Sequence, residues 1–136
     1  MLLDYLFGCE VLPALADGTA IFIYDFPIEH AAYARVRSDT PLTAERFELI
    51  VNGMEIANGF HEVCAVDEQR GRFERENQRR QQRGLAPMAL DQALLAALTH
   101  GMPACAGVAV GVDRLLMCLL NLPSITQAVA FATRTP

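Results

Sequence analysis

The sequence contains no lysine, so all 11 of its cationic side chains are arginines. This absence excludes a lysine-dependent phosphate loop and a Schiff-base lysine within the chain. The arginines are outnumbered by 16 acidic residues, which gives a formal net charge of -5. Because a broad nucleic-acid footprint requires clustered positive charge, extensive contact with nucleic acid is not expected here.

Metal-binding spacing and export signals are also missing. The chain has four cysteines: Cys9, Cys64, Cys105 and Cys118. They show no CxxC or similar spacing, so we interpret them as structural thiols. No arginine precedes Arg35, and a signal peptide begins with a positively charged region. The longest apolar run near the C-terminus, residues 108–122, is interrupted by charges and is too short to span a bilayer. These absences predict a cytoplasmic protein without a membrane segment.

The remaining composition, 52% apolar in 136 residues, indicates one packed domain. Hydrophobic patterning predicts strands at 20–24, 46–51, 54–60 and 107–110, and helical segments at 2–15, 30–34, 67–83, 92–100 and 112–120. Asn52-Gly53 is a strong hairpin signal, while Asp91 and Ser124 are candidate N-caps. The last long helix is apolar nearly all round, which predicts that it is buried. Hairpin strands with interspersed helices favour an α+β fold.

The segment from Phe47 to Glu62, FELIVNGMEIANGFHE, carries three carboxylates on two predicted strands. Glu55 and Glu62 lie seven residues apart, so on a regular strand they face opposite sides of the sheet. A bulge or bend at Asn58-Gly59 would bring them to one face, where paired carboxylates suit an Mg²⁺-nucleotide and a cationic substrate. A hairpin with solvated glutamates accounts for the same pattern, and these residues alone leave both interpretations open.

A second segment, GVAVGVDRL at 107–115, places two glycines around a short apolar strand that leads into a helix. Glycine lets a flat ligand approach the backbone, and Arg114 in the first helical turn is placed to meet a phosphate. The alternative is a closely packed strand followed by a surface arginine. The GxGxxG spacing of a dinucleotide-binding fold is missing.

Two other polar features are interpreted more simply. The arginine-rich helix at 67–83 fits a solvated face better than a surface for an acidic partner. Two favourable i,i+4 pairs support this helix: Glu68 with Arg72, and Glu76 with Arg80. None of the three histidines has a nucleophile at recognisable spacing, so a catalytic role for His61 is not favoured.

Together, the 47–62 and 107–115 segments resemble the C-terminal part of class II aminoacyl-tRNA synthetase catalytic domains of the lysyl type. GVDRL at 111–115 is similar to class II motif 3, and FELIVNGMEIANGFHE is similar to the strand pair before it. The closest similarity is to the elongation factor P-(R)-β-lysine ligase family, through YDFP, ERFEL, EIANGFHE and GVAVGVDRL. Lysyl-tRNA synthetases usually have glycine where this chain has Ala109, which favours the ligase family.

The resemblance implies ATP-dependent activation of (R)-β-lysine, or of lysine, as an aminoacyl-adenylate, followed by transfer to a lysine of elongation factor P. It implies that Glu55 and Ile56 contact ATP, that Glu55 lies near Mg²⁺, and that Gly111 lies under the adenylate. Arg114 would grip the γ-phosphate, so that Arg114 and Glu55 carry the catalytic charge stabilisation. Glu62 would pair with an ammonium group of the substrate. Three further residues would line the substrate pocket with it: Asn58, Gly59 and Ala109.

The departures from the family pattern predict an incomplete site. Motif 1, at the dimer interface, and motif 2, with its carboxylate-orienting arginine, are not found, and the family domain is about twice this length. Residues 1–136 are therefore expected to be a partial class II synthetase-like domain that is inactive alone. Its open sheet edge and apolar surface favour a homo-oligomer.

Two alternatives to the ligase remain at this stage. One is a fragment of a lysyl-tRNA synthetase that charges tRNA with α-lysine. The other is a non-catalytic synthetase-like paralogue used for binding, against which the retained Glu55, Glu62 and Arg114 argue.

Overall fold

The computed structural model describes residues 2–15, 18–39 and 41–132. Within them, four strands are β1 (Ala20–Pro27), β2 (Thr43–Val51), β3 (Met54–His61) and β4 (Ala106–Val110). The helices are α1 (Leu2–Leu6), α2 (Leu12–Ala14), α3 (Val66–Gln82), α4 (Gln92–His100) and α5 (Val112–Leu120). A π-helical stretch, Phe7–Val11, joins α1 to α2, and 3-10 turns lie at Ile28–His30 and Ile125–Gln127. This mixture confirms the predicted α+β class.

The four strands form one antiparallel sheet in the order β1-β2-β3-β4. Strands β2 and β3 are joined at Asn52-Gly53, where both residues have positive φ (51° and 71°) as a tight hairpin turn requires. The strands are longer than predicted: β2 begins at Thr43, and β1 continues through Asp25 to Pro27. Asp25 has φ of 59° at an irregularity between Tyr24 and Phe26, and Arg37 pairs with its carboxylate at 3.0 Å.

The helix ends follow the predicted local chemistry. Asp91 caps α4 by accepting a hydrogen bond from the Leu94 amide at 2.9 Å, and Gly101 closes it at φ of 104°. Gly84 follows α3 at φ of 70°, where the Leu85 amide donates to the Arg80 carbonyl. Ser124 caps the turn at Ile125–Gln127, as predicted.

The other short helical predictions need correction. The predicted 2–15 segment is helical as far as Ala14, but its middle part, Phe7–Val11, is π-helical. The turn predicted at 30–34 lies two residues earlier, immediately after Pro27. Glu68 and Arg72 pair as expected, whereas Glu76 lies 3.9 Å from Arg79 and Arg80 donates to the Ala86 carbonyl.

Four of the nine buried hydrophobic residues in the described part of the chain are alanines. Ala31, Ala34 and Ala44 form a buried cluster against which Phe26 and Phe60 pack. Arg72 fixes the loop above this cluster by donating to the carbonyls of Ala32 and Ala34 at 2.7 and 2.8 Å. Helix α4 contributes Leu95 and Leu98 to the buried residues, at 2% and 6% exposed.

The prediction that α5 is buried is wrong. Val112, Leu119 and Leu120 are 69%, 70% and 59% exposed, because α5 packs against β3 and the 125–127 turn on one side only. Strand β4 lies at the edge of the sheet, and Val108 on this strand is 55% exposed. The expected apolar surface is therefore present. Among the described residues, no helix is both long and apolar enough to cross a membrane.

Candidate active site

One face of the sheet gathers most of the predicted site residues. Strand pairing places Glu48 opposite Asn58, and Asn58 opposite Ala109. Because directly paired residues share a face and successive residues alternate, Arg46, Glu48, Asn58, Phe60 and Ala109 point to the same side. We call this side the site face.

Glu55 and Glu62 both lie on the site face. The β2–β3 register shifts so that Leu49 pairs with Ala57 while Ile50 pairs with Glu55, which leaves Ile56 as an extra residue. This bulge reverses the alternation once between Glu55 and Glu62. The sequence predicted such a reset at Asn58-Gly59. That position is wrong, since the irregularity lies at Ile56.

The start of α5 is docked on this bulge. The Gly111 amide donates to the Ile56 carbonyl at 2.8 Å, and Arg114 Nη1 donates to the Glu55 carbonyl at 2.9 Å. Ile56 as a whole residue is 2% exposed, and its carbonyl oxygen is already engaged by the Gly111 amide, so the predicted contact of Ile56 with ATP stays a prediction. Within the described residues no carboxylate pairs with Arg114, which leaves its positive charge available to an anion.

Glu62 sits at the other end of the site face. A Cβ on Gly107 would lie 2.5 Å from Glu62 Oε1, so the carboxylate crosses directly above this glycine. The space that the sequence assigned to a flat ligand at Gly107 is thus filled by the chain's own carboxylate. At Gly111 a Cβ would make ordinary van der Waals contacts, at 3.5–3.7 Å, with the Arg114 side chain and the Ile56 carbonyl oxygen. Within the described part of the chain, Glu62 forms no ion pair.

A buried charged group supports the centre of the site face. Arg46, whose side chain is 14% exposed, forms a hydrogen-bonded ion pair with Glu48 and donates from Nε to Asn58 Oδ1 at 3.2 Å. Its guanidinium carbon lies 4.4 Å from the centre of the Phe26 ring. Burial raises the pKa of Glu48, with a further contribution from the nearby Glu55 charge, while Arg46 opposes the shift.

Gly59 does not join the other predicted substrate contacts. It pairs with Phe47 on the opposite side of the sheet, where a Cβ would collide with the Phe47 ring and approach the Gly107 carbonyl at 3.1 Å. We therefore assign Gly59 a packing role in place of the predicted pocket role.

These features can be compared with known proteins. A sequence profile of the family described as tRNA synthetases class II (D, K and N) matches residues 6–135. The chain belongs to this family. The resemblance found in the sequence is thereby confirmed.

Three curated relatives of the chain are elongation factor P–(R)-beta-lysine ligases. The chain is 48% identical over 130 residues to that of Mannheimia succiniciproducens, 45% over 131 residues to that of Pectobacterium carotovorum subsp. carotovorum, and 45% over 130 residues to that of Vibrio vulnificus. Each match covers 96% of this chain and 40% of the relative. This class II chain therefore spans about two fifths of the length of these relatives.

Sequence reasoning missed Arg46 as a member of the class II site face. The available signal was its place two residues before Glu48 on a strand, which puts both side chains on one side of the sheet. His61 alternates to the opposite side, where its Nδ1 lies 2.8 Å from Glu45 Oε2. This placement separates His61 from Glu55 and Arg114.

Proposed function

We propose that this chain is the motif 3 part of an ATP-dependent ligase that activates (R)-β-lysine, or lysine, as an aminoacyl-adenylate and transfers it to a lysine of elongation factor P. The observation that carries the proposal is the Ile56 bulge, which puts Glu55 and Glu62 on one face and holds Arg114 beside them. The names of the curated relatives support the same activity. Such an enzyme would act in the cytoplasm, where translation factors are used.

The charges on the site face suit a lysine-like substrate joined to a nucleotide. Glu62 is unpaired in the described structure, so it would accept a hydrogen bond from a substrate ammonium in a charge-assisted contact. One N–H group of Arg114 donates to the Glu55 carbonyl, and its other N–H groups would donate to phosphate oxygens. Gly111 has no side chain, which would let the adenylate approach the backbone next to Arg114. Glu62 and Arg114 would act by positioning the substrates and stabilising charge.

The residues also fit a magnesium ion that arrives with ATP. Among the described residues, no group of three or more potential ligands is arranged to hold a metal. Mg²⁺ is commonly bound by one or two carboxylates together with substrate phosphates and water. Glu55 on the site face would supply such a carboxylate. When bound, the ion would neutralise phosphate charge. Glu55 would hold it against the face that also carries Arg114.

The size of residue 109 bears on the choice of amino acid. Ala109 is exposed and lies directly opposite Asn58, so its methyl group projects into the site. Glycine at this position would enlarge the pocket beside Asn58. We expect Ala109→Gly to raise activity with α-lysine relative to (R)-β-lysine.

Because the chain spans 40% of its relatives, we expect it not to form the adenylate alone. The test uses ATP–pyrophosphate exchange with (R)-β-lysine, measured for the chain alone and for a chimera in which it replaces the matching residues of the Mannheimia relative. We expect exchange in the chimera only. Full-rate exchange by the chain alone would contradict the incomplete site, and an inactive but folded chimera would contradict the proposed function.

Two matched pairs of variants locate the activity in the chimera. Glu62→Gln is expected to weaken amino-acid binding, whereas Glu74→Gln on the exposed side of α3 should have no effect. Arg114→Lys is expected to reduce exchange, whereas Arg83→Lys should not. Aminoacylation of tRNA with α-lysine in place of elongation factor P modification would identify a lysyl-tRNA synthetase.

A further inference from the structure

The Arg46 side chain connects three parts of the molecule through three different nitrogens. Nε donates to Asn58 Oδ1 at 3.2 Å, Nη1 donates to the His30 carbonyl at 2.7 Å, and Nη2 pairs with Glu48. A guanidinium has its donors in a fixed planar fork, so the three acceptors together define one orientation. The aromatic ring of Phe26, 4.4 Å away, packs against the same group.

This arrangement determines which way the Asn58 amide points. A guanidinium only donates, so the oxygen of the amide must face Arg46 and the Nδ2 group must face away from it. In the described structure Nδ2 has no hydrogen-bond partner, and no buried side-chain nitrogen or oxygen is left unsatisfied. Since Asn58 is only half-buried, Nδ2 is therefore open to solvent on the site face.

The neighbours of Nδ2 give it a specific use. Asn58 lies between Glu55 and Glu62 along β3, and both of these carboxylates only accept hydrogen bonds when ionised. They recognise ammonium groups or a metal ion but repel a carboxylate or phosphate oxygen. Asn58 Nδ2 adds a donor between them, which suits a ligand that carries an oxygen close to its ammonium groups.

We infer that Arg46 is a positioning residue that fixes the Asn58 amide so that Nδ2 donates to a carboxyl or carbonyl oxygen of an amino-acid ligand on the site face. The inference rests on the proposed function, because it takes a lysine-like compound as the ligand. Arg46 itself lies beside Asn58 on the neighbouring strand and acts through it. A lysine at this position keeps the charge opposite Glu48 but cannot reach three divergent acceptors from one nitrogen.

The ligand-free half of the test uses the Arg46 Nε–H signal in a ¹H–¹⁵N NMR spectrum of the chain. In the wild-type protein we expect this proton to be protected from exchange with water, and Asn58→Ala should remove the protection. An unprotected Nε–H in the wild type would overturn the inference without touching the proposed function.

The ligand half measures dissociation constants for (R)-β-lysine and L-lysine in the chimera described above. Arg46→Lys should weaken binding about tenfold, the loss of a hydrogen bond of about 1.4 kcal/mol. In an Asn58→Ala background the same substitution should cost almost nothing, because the group through which Arg46 acts is gone. Leu98→Ala, in the buried side of α4, is the control that lowers stability without changing affinity.

The outcomes separate the two claims. Wild-type affinity in Arg46→Lys, or additive losses in the double variant, would overturn the inference and leave the proposed function standing. Absence of binding in a folded wild-type chimera would contradict the proposed function, whatever the Nε–H signal shows.

Discussion

The two glycines that face opposite sides of the sheet give the sharpest test of the structure. A methyl group on Gly59 would collide with the Phe47 ring and approach the Gly107 carbonyl at 3.1 Å, and the ring is itself packed 5.6 Å from that of Phe22. A methyl group on Gly107 would meet only Glu62 Oε1, at 2.5 Å, the end of a flexible side chain. The same substitution, glycine to alanine, therefore has different consequences at the two positions.

The expected magnitudes follow from what has to move. Gly59→Ala overpacks a ring and a strand backbone, which costs about 1–3 kcal/mol. With an unfolding entropy of about 2.1 cal/mol/K per residue, this lowers Tm by about 4–10 °C for a chain of this length. Gly107→Ala displaces only the Glu62 carboxylate, so its Tm should stay within about 2 °C, the range of surface substitutions.

The assay is thermal unfolding of both variants followed by circular dichroism, together with lysine binding in the chimera. Gly107→Ala should weaken binding of the amino acid because Glu62 is displaced from the site face. Equal destabilisation by the two substitutions would refute the assignment of the two glycines to opposite sides. Unchanged binding in Gly107→Ala would refute the placement of Glu62 above Gly107.

Three further predictions concern stability and association. Arg72→Met should lower the free energy of unfolding in urea by about 2–4 kcal/mol, because it removes the donor to the Ala32 and Ala34 carbonyls. Arg79→Met should change that free energy by less than about 0.5 kcal/mol. Equal effects of the two substitutions would contradict the role of Arg72. The hydrogen bond from Arg35 holds the pKa of Glu45 below its ordinary value of 4.5, so the carboxylate stabilises the fold above that value and this contribution is lost as pH falls through its folded pKa. Below pH 4.5, the Tm of the wild type should thus fall more steeply with falling pH than the Tm of Glu45→Gln. Parallel curves of Tm against pH for the two proteins would contradict the stabilising pair of Arg35 and Glu45. Leu119→Glu, at a side chain 70% exposed, should reduce self-association in sedimentation experiments while leaving Tm nearly unchanged, and a large loss of Tm would show that this side chain is packed.

Local chemistry made several elements predictable from the sequence. The Asp91 and Ser124 caps, the Asn52-Gly53 turn and the Gly84 helix end depend on side chains and φ angles within a few residues of each other. The family resemblance likewise depends on short motifs that stay contiguous in the chain. These features needed no knowledge of what packs against them.

Features that depend on distant packing were harder to predict. The bulge falls at Ile56 because the register between β2 and β3 is set by side chains on both strands, and no residue type marks its position. Apart from its pair with Glu48, Arg46 is tied to the site by contacts with Asn58 and His30, which are 12 and 16 residues away in the sequence. The exposure of α5 could not follow from its apolar composition, because composition predicts burial without saying which element covers the helix.

The bulge at Ile56 also couples the shape of this strand to its number of residues. Seven steps from Glu55 to Glu62 with one bulge place both carboxylates on the site face, and six steps on a regular strand would do the same. Seven steps without a bulge would send Glu55 to the Phe47 side of the sheet, although every side chain of the motif were kept. A related chain that lacks one residue here can therefore keep the site by losing the bulge, whereas a chain that changes the count by one and keeps the bulge separates the two carboxylates.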